Sequence, residues 1–261
     1  MMLQKNLSVE FLKLRRSTIF WFLPLAFSLG PVIAAVFMVI VSHPELGQRL
    51  GLLGAKAQLM AMHADWASYF TVISQMVGIG GMIVIGVMAA FLFGREYAEG
   101  TAKNILALPV SRAGVVTAKL FVGAVWYAAV IVWVYILAIS LGSLLSMPGY
   151  TGELLSSAVV RGARMAVETI MLISIPAWIG VASKGYFGPL GFTMFSLIMG
   201  NVFGVTGWGP WFPWSVVPLD SGMAGPDVAL PGWGARIVLL ATFCVGWFLT
   251  WWTLNTADNL Q

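Results

Sequence analysis

The only two histidines stand in His-x-acid pairs, His43-Pro44-Glu45 and His63-Ala64-Asp65, and imidazole beside carboxylate is donor chemistry for zinc. Nothing in the spacing holds the two pairs together, so they read as solvated loop residues and no metal is assigned. No HExxH, GxSxG or GxxxxGK[ST] pattern occurs. No catalytic residue is assigned either, and the chain has no motif with which to hydrolyse ATP itself. Arg161, Arg164 and Glu168 are spaced by three and four, which aligns them on one helix face and allows an i,i+4 pair between Arg164 and Glu168. Two readings stay open for them: an outer vestibule that meets substrate or acts as a gate, and an interfacial helix whose charges snorkel to water.

The densest charge lies at 94–119, where Arg95, Glu96, Glu99, Lys103, Arg112 and Lys119 separate two apolar runs. Arg95 with Glu99 and Glu99 with Lys103 are i,i+4 pairs, so the preceding helix is expected to continue into water until Gly100 interrupts it. Thr101 is placed to cap a short helix over 102–107, and Pro109 forbids its continuation. Ser111 caps the next helix, which runs through Lys119. The result is a crossbar with Ile105, Leu106 and Leu108 as apolar anchors and Lys103, Asn104 and Arg112 as polar rim, a shape suited to a groove on another protein.

What positions these groups is a membrane. The chain is 59% hydrophobic with only 9% charged residues, against roughly 25% charged in ordinary soluble domains, and its mean hydropathy is +0.90. Its 261 residues form a single transmembrane domain over 1–261, with no room for a separate soluble enzyme. Six runs are long enough to cross a bilayer at about 20 residues each: 17–41, 67–93, 118–145, 165–182, 188–206 and 233–254. Pro24, Pro31 and Pro176 lie inside spans and are expected to kink them. The first run is too long for a signal-peptide core. Cys244 is the only cysteine, so no intrachain disulfide forms.

With the N-terminus inside, nine of the 14 basic residues fall on the cytoplasmic side and five on the outer side, which favours N-in and C-in. The net charge of +4 flanks apolar spans and meets lipid phosphates rather than nucleic acid. Residues 3–16 read as an amphipathic helix lying in the inner membrane surface, with Leu3, Leu7, Phe11 and Leu14 on one face and Lys5, Glu10, Lys13 and Arg16 largely elsewhere, or as a plain positive-inside anchor without specific docking. Trp208, Trp211 and Trp214 suit the outer headgroup zone. Gly78, Gly80, Gly81 and Gly86 in the second span allow close helix packing, at a sliding interface or an ordinary one.

Glu96, Glu99-Gly100-Thr101, Lys103, Leu106, Pro109-Val110-Ser111-Arg112 and Lys119 together resemble the ABC-2 type permease subunits of ABC transporters, in particular the small six-span permeases of the bacitracin and lantibiotic export and immunity group. The resemblance extends to VEFLKLRRS near the N-terminus and FPWSVVPL before the last span. It implies an exporter in which two permease chains, identical or related, pair with two separate ATPase subunits that hold the ATP and magnesium, in a bacterial cytoplasmic membrane. The segment 94–116 then becomes the coupling segment, with Arg95, Glu96, Glu99, Gly100, Thr101, Lys103, Leu106, Pro109 and Arg112 as contact or shape-setting residues. Residues 1–16 become an amphipathic connecting helix at the membrane surface, and the turn around Lys184 a smaller cytoplasmic contact. Arg161 and Arg164 depart from the family pattern by making the start of the fourth span more basic. A mostly uncharged path suits an amphiphilic cargo such as a peptide antibiotic, drug or lipid. The competing reading is a membrane anchor or sensor that docks a signalling protein through the same crossbar; an intramembrane enzyme is disfavoured, because no nucleophile pair is visible.

Overall fold

The computed structural model describes residues 2–43, 45, 63–102, 111–225, 228 and 230–256. Helix α1 (Met2–Arg15) precedes α2 (Thr18–Phe27) and α3 (Leu29–Ser42), which together form the first membrane-length span. Pro31 explains the break between α2 and α3, because its ring displaces the carbonyl four residues back, that of Phe27. The second span, Trp66–Ala98, comprises α4 (Trp66–Ala89), a π-helical turn at Ala90–Gly94 and α5 (Arg95–Ala98). The third is α6 (Arg112–Leu144). The fourth, Gly152–Ala182, is α7 (Gly152–Met171) continued by α8 (Ser174–Ala182), interrupted where Pro176 denies the Leu172 carbonyl its donor. Helix α9 (Phe187–Gly204) is the fifth span, and after two 3-10 turns and the short α10 (Val216–Asp220), α11 (Trp233–Thr256) is the sixth. All six are long and apolar enough to cross a membrane, and no strand occurs among the described residues.

Span boundaries follow caps. The Asp65 carboxylate accepts from Ser68 N at 2.8 Å and starts α4, so half of one His-x-acid pair is spent on the backbone. Ser111 accepts from Gly114 N and starts α6 as expected. Thr151 does the same for α7 through Leu154 N, so the fourth span begins well before the 165 expected from hydropathy. Its first turns are amphipathic and continue without a break into the apolar part.

The second span is the axis of the bundle. Its side of the core holds Tyr69, Ile73, Val77, Met82, Met88 and Phe93, all essentially inaccessible. Its glycines are notches rather than sliding surfaces: a Cβ at Gly78 would meet Ser221, at Gly80 Phe27, at Gly81 the Tyr127 hydroxyl and at Gly86 Thr193. Each notch is filled by one side chain from a different helix, which fixes position along the axis.

Residues 209–221 re-enter the bundle. Ser221 faces Gly78 at 3.0 Å from where a Cβ would lie, and Gly78 is about 18 Å along the helix from Trp66 at 1.5 Å per residue. Val216, Val217, Leu219 and Asp220 are buried. Of the three tryptophans assigned to the outer headgroup zone, Trp208 and Trp211 are exposed and Trp214 is half-buried. Trp214 packs edge-on against Phe192, with centroids 5.1 Å apart. Its backbone carbonyl sits in the notch at Gly200, an approach that any larger residue there would block.

Candidate functional site

At the end of the bundle that carries α1, four charged side chains close a ring of alternating sign. Lys119 Nζ donates to Glu96 Oε1 at 2.7 Å and Glu10 Oε2 at 3.1 Å, while Lys13 Nζ donates to Glu10 Oε1 at 2.8 Å and to the same Glu96 oxygen at 3.1 Å. Lys119 also donates to Leu92 O at 2.7 Å. That carbonyl belongs to the π-helical turn, whose widened spacing re-aims backbone groups that a regular helix keeps to itself. The ring joins α1, the end of the second span and the start of the third.

Burial makes the ring demanding. The Lys119 side chain is 4% exposed and the Glu96 side chain 11%, and an unpaired ion there costs several kcal/mol. For Glu10, burial favours the neutral acid, but the Lys119 charge and the Lys13 hydrogen bond outweigh it and hold the carboxyl below its ordinary range. Burial likewise favours neutral Lys13, yet Glu10 and then Glu96 hold its ammonium above the ordinary range.

The placement revises the face assigned to α1. Leu14 and Glu10 are buried, whereas Phe11 is 47% exposed together with Val9 and Leu12. The packed stripe is therefore displaced toward Glu10, because an acid with two lysine partners can be buried where apolar periodicity alone would exclude it.

Of the residues assigned to coupling, Arg95 stacks its guanidinium over Phe91 at 4.2 Å and lies 3.9 Å from Glu99. Gly100 takes the left-handed conformation, φ +71°, that ends α5. Thr101 donates its hydroxyl to Glu96 O at 3.3 Å and so helps close the helix behind it; the helix it is expected to cap lies, from 103 on, outside the described residues. Arg112, in the first turn of α6, lines a small cavity of about 20 Å³ with Glu96, Lys119 and Leu254. Lys103, Leu106 and Pro109, with most of the expected crossbar, lie outside the described residues. The turn around Lys184 packs here too: a Cβ on Gly94 would collide with Gly185 O.

The second charged group lies in the other half of the bundle. Arg164 grips Asp220 with two hydrogen bonds, Nη2 to Oδ1 at 2.8 Å and Nε to Oδ2, tying α7 to the re-entrant α10. Glu168 pairs with Arg236 Nε of α11 at 3.4 Å, and its Oε2 is buried without a hydrogen-bond partner. The expected Arg164–Glu168 pair is thus replaced by two pairs to other elements, because buried Asp220 and Glu168 each need a cation of their own. Arg161 is half-buried and forms no ion pair among the described residues; its charge faces the neighbourhood of Tyr135. Arg164 and Arg236 keep about a third of their side chains exposed, whereas Glu168 and Asp220 are buried.

Sequence reasoning passed over Glu10, Lys13, Asp220 and Arg236 as site residues and used Lys119 only as part of a motif. Their one available signal was charge inside or beside an apolar segment.

Six membrane-length helices, a helix pinned to them by a buried ionic ring and a re-entrant turn define a multi-pass helical membrane protein. The family model of the ABC-2 family transporter proteins matches residues 6–200, and the chain belongs to that family of permease domains. The bacitracin transport permease protein BCRB of Bacillus licheniformis is 29% identical over 138 residues, 52% of this chain. The match covers 66% of that protein, just under two thirds of its length.

Proposed function

We propose that this chain is the membrane subunit of an ATP-driven exporter in a bacterial cytoplasmic membrane, oriented N-in and C-in, and that it moves an amphiphilic cargo. Peptide antibiotics are the cargo class that the similarity to a bacitracin permease favours. Two separate ATPase subunits bind ATP and magnesium, and a second permease chain completes the path. The chain itself makes and breaks no bond.

The observation that carries this reading is the ionic ring at the roots of residues 94–116. Glu96 stands near the start of that segment and pairs with Lys13 of α1, and Lys119 stands just beyond its end and pairs with Glu10 of α1 and with Glu96. A partner that displaces the crossbar must move the ends of the second and third spans, and the ring makes α1 move with them. A rigid four-charge joint transmits force well, since breaking any one contact exposes an unpaired buried ion. At the other half, Arg164–Asp220 and Glu168–Arg236 hold the re-entrant segment and the sixth span against the fourth, a closed outer vestibule that must loosen for release.

The test is co-purification with reconstituted transport. An ATPase subunit is expected to co-purify, and Glu96→Gln or Arg112→Ala should uncouple ATP hydrolysis from transport while membrane insertion persists. Recovery of only a kinase or regulator would replace the exporter by a sensor, and unchanged transport in both variants would remove the docking role.

A further inference from the structure

Between α2 and α6 the bundle opens a groove of about 530 Å³ on its lipid-facing side. Trp21 and Leu25 form one wall, Trp126, Ala129 and Trp133 the other. Two of its polar groups are paired within the wall: Trp133 Nε1 donates to Ser28 Oγ at 2.9 Å, and Ser28 Oγ donates to Pro24 O at 2.7 Å. The rest of the wall is mostly aromatic and aliphatic and suits a hydrocarbon chain. Its residues run from Phe20 to Ser28, about 12 Å at 1.5 Å per residue, close to the roughly 15 Å depth of one hydrocarbon leaflet.

At the α1 end of this groove stand Arg15 and Arg16, both exposed and without an ion pair among the described residues. Phe20 begins the groove one helical turn beyond them. The groove is long enough to hold most of the hydrocarbon of one acyl chain within a single leaflet. Paired arginines at headgroup level favour a phosphate that carries net negative charge.

We infer that the α2–α6 groove is a binding site for an anionic phospholipid, with an acyl chain along Trp21, Leu25 and Trp133 and the headgroup phosphate on Arg15 and Arg16. The bound lipid would seat α1 against the bilayer at the same place where the ionic ring seats it against the bundle.

Groove tryptophans make the site readable. The full chain is reconstituted in phosphatidylcholine nanodiscs containing increasing fractions of phosphatidylglycerol or phosphatidylcholine brominated on the acyl chain, and tryptophan quenching is followed. The quenching lost in Trp21→Phe/Trp133→Phe isolates the groove signal. Brominated phosphatidylglycerol should quench it at a mole fraction roughly tenfold lower than brominated phosphatidylcholine, as expected for two basic contacts at the surface. Arg15→Gln/Arg16→Gln should abolish the difference, Arg15→Lys/Arg16→Lys should retain most of it, and Ala129→Phe should reduce quenching by both lipids. Equal quenching by the two lipids in the parent chain would overturn the proposal. So would a headgroup preference that survives Arg15→Gln/Arg16→Gln, or a groove signal inaccessible to either lipid because a second copy covers it.

Discussion

Lys119 illustrates how one side chain can organise a junction that has no chemistry of its own. It satisfies two carboxylates and a backbone carbonyl at once. Lys119→Met therefore strands Glu10 and Glu96 with Lys13 alone, and should cost about 3–5 kcal/mol, read as a lowered unfolding temperature in detergent. Arg164 and Asp220 permit a cleaner experiment, because their pair is bidentate and joins elements far apart in sequence. Arg164→Asp or Asp220→Arg alone should destabilise by a similar amount, whereas the double exchange should recover a substantial part of the loss. A swap no more stable than the sum of its single variants would show that the two positions do not interact.

At the scale of elements, α1 is held by charge as much as by packing, so its docking depends on pH. Glu10 titrates below its ordinary 4.5, so its contribution is full above that value and disappears as pH falls through the lowered one. Lys13 titrates above its ordinary 10.5, so its contribution is full below that value and disappears as pH rises through the raised one. Helix α1 should stay docked from about pH 5 to 10 and loosen in acid; hydrogen exchange of its amides, corrected for intrinsic rates, should show protection falling below about pH 4. The second span supplies a packing counterpart. Gly86→Ala would drive a methyl into Thr193 and should destabilise by about 1–3 kcal/mol. Gly191→Ala, in α9 where a Cβ meets nothing, should be neutral or stabilise by about 0.5–1 kcal/mol through helix propensity; thermal unfolding of the two variants compares them directly.

For the whole molecule, the two charged groups divide the labour between the two halves of the bundle. The ring at the α1 end joins α1 to the end of the second span and the start of the third, and the Arg164–Asp220 and Glu168–Arg236 pairs close the other half around a re-entrant segment. Single cysteines at Lys184 and at Trp208, in a chain with Cys244 replaced, report orientation: the N-in, C-in arrangement predicts that an impermeant thiol reagent reaches position 208 from outside intact cells and position 184 only after permeabilisation. The reverse pattern would place the ionic ring on the outer side and remove it from any contact with a cytoplasmic ATPase.

Local signals were sufficient for much of this architecture. The six spans follow from apolar runs of membrane length, the end of α5 from Gly100, the start of α6 from Ser111 and the breaks in the first and fourth spans from Pro31 and Pro176. Each is decided by residues within a few positions of one another, which is where backbone sterics and capping act. The sites were not legible in the same way. Glu10 and Lys119 are 109 residues apart, Lys13 and Glu96 83, and Arg164 and Asp220 56, and helical periodicity says nothing about a partner on another helix. Nor does any local signal mark 209–221 as part of the core, where the Asp220 carboxylate is buried because Arg164 meets it there. The sequence alone determined that this chain is a six-span membrane protein with a charged stretch between its second and third spans. Only tertiary packing decided which charges neutralise one another, since a buried ion is tolerated solely where the fold delivers its counter-ion.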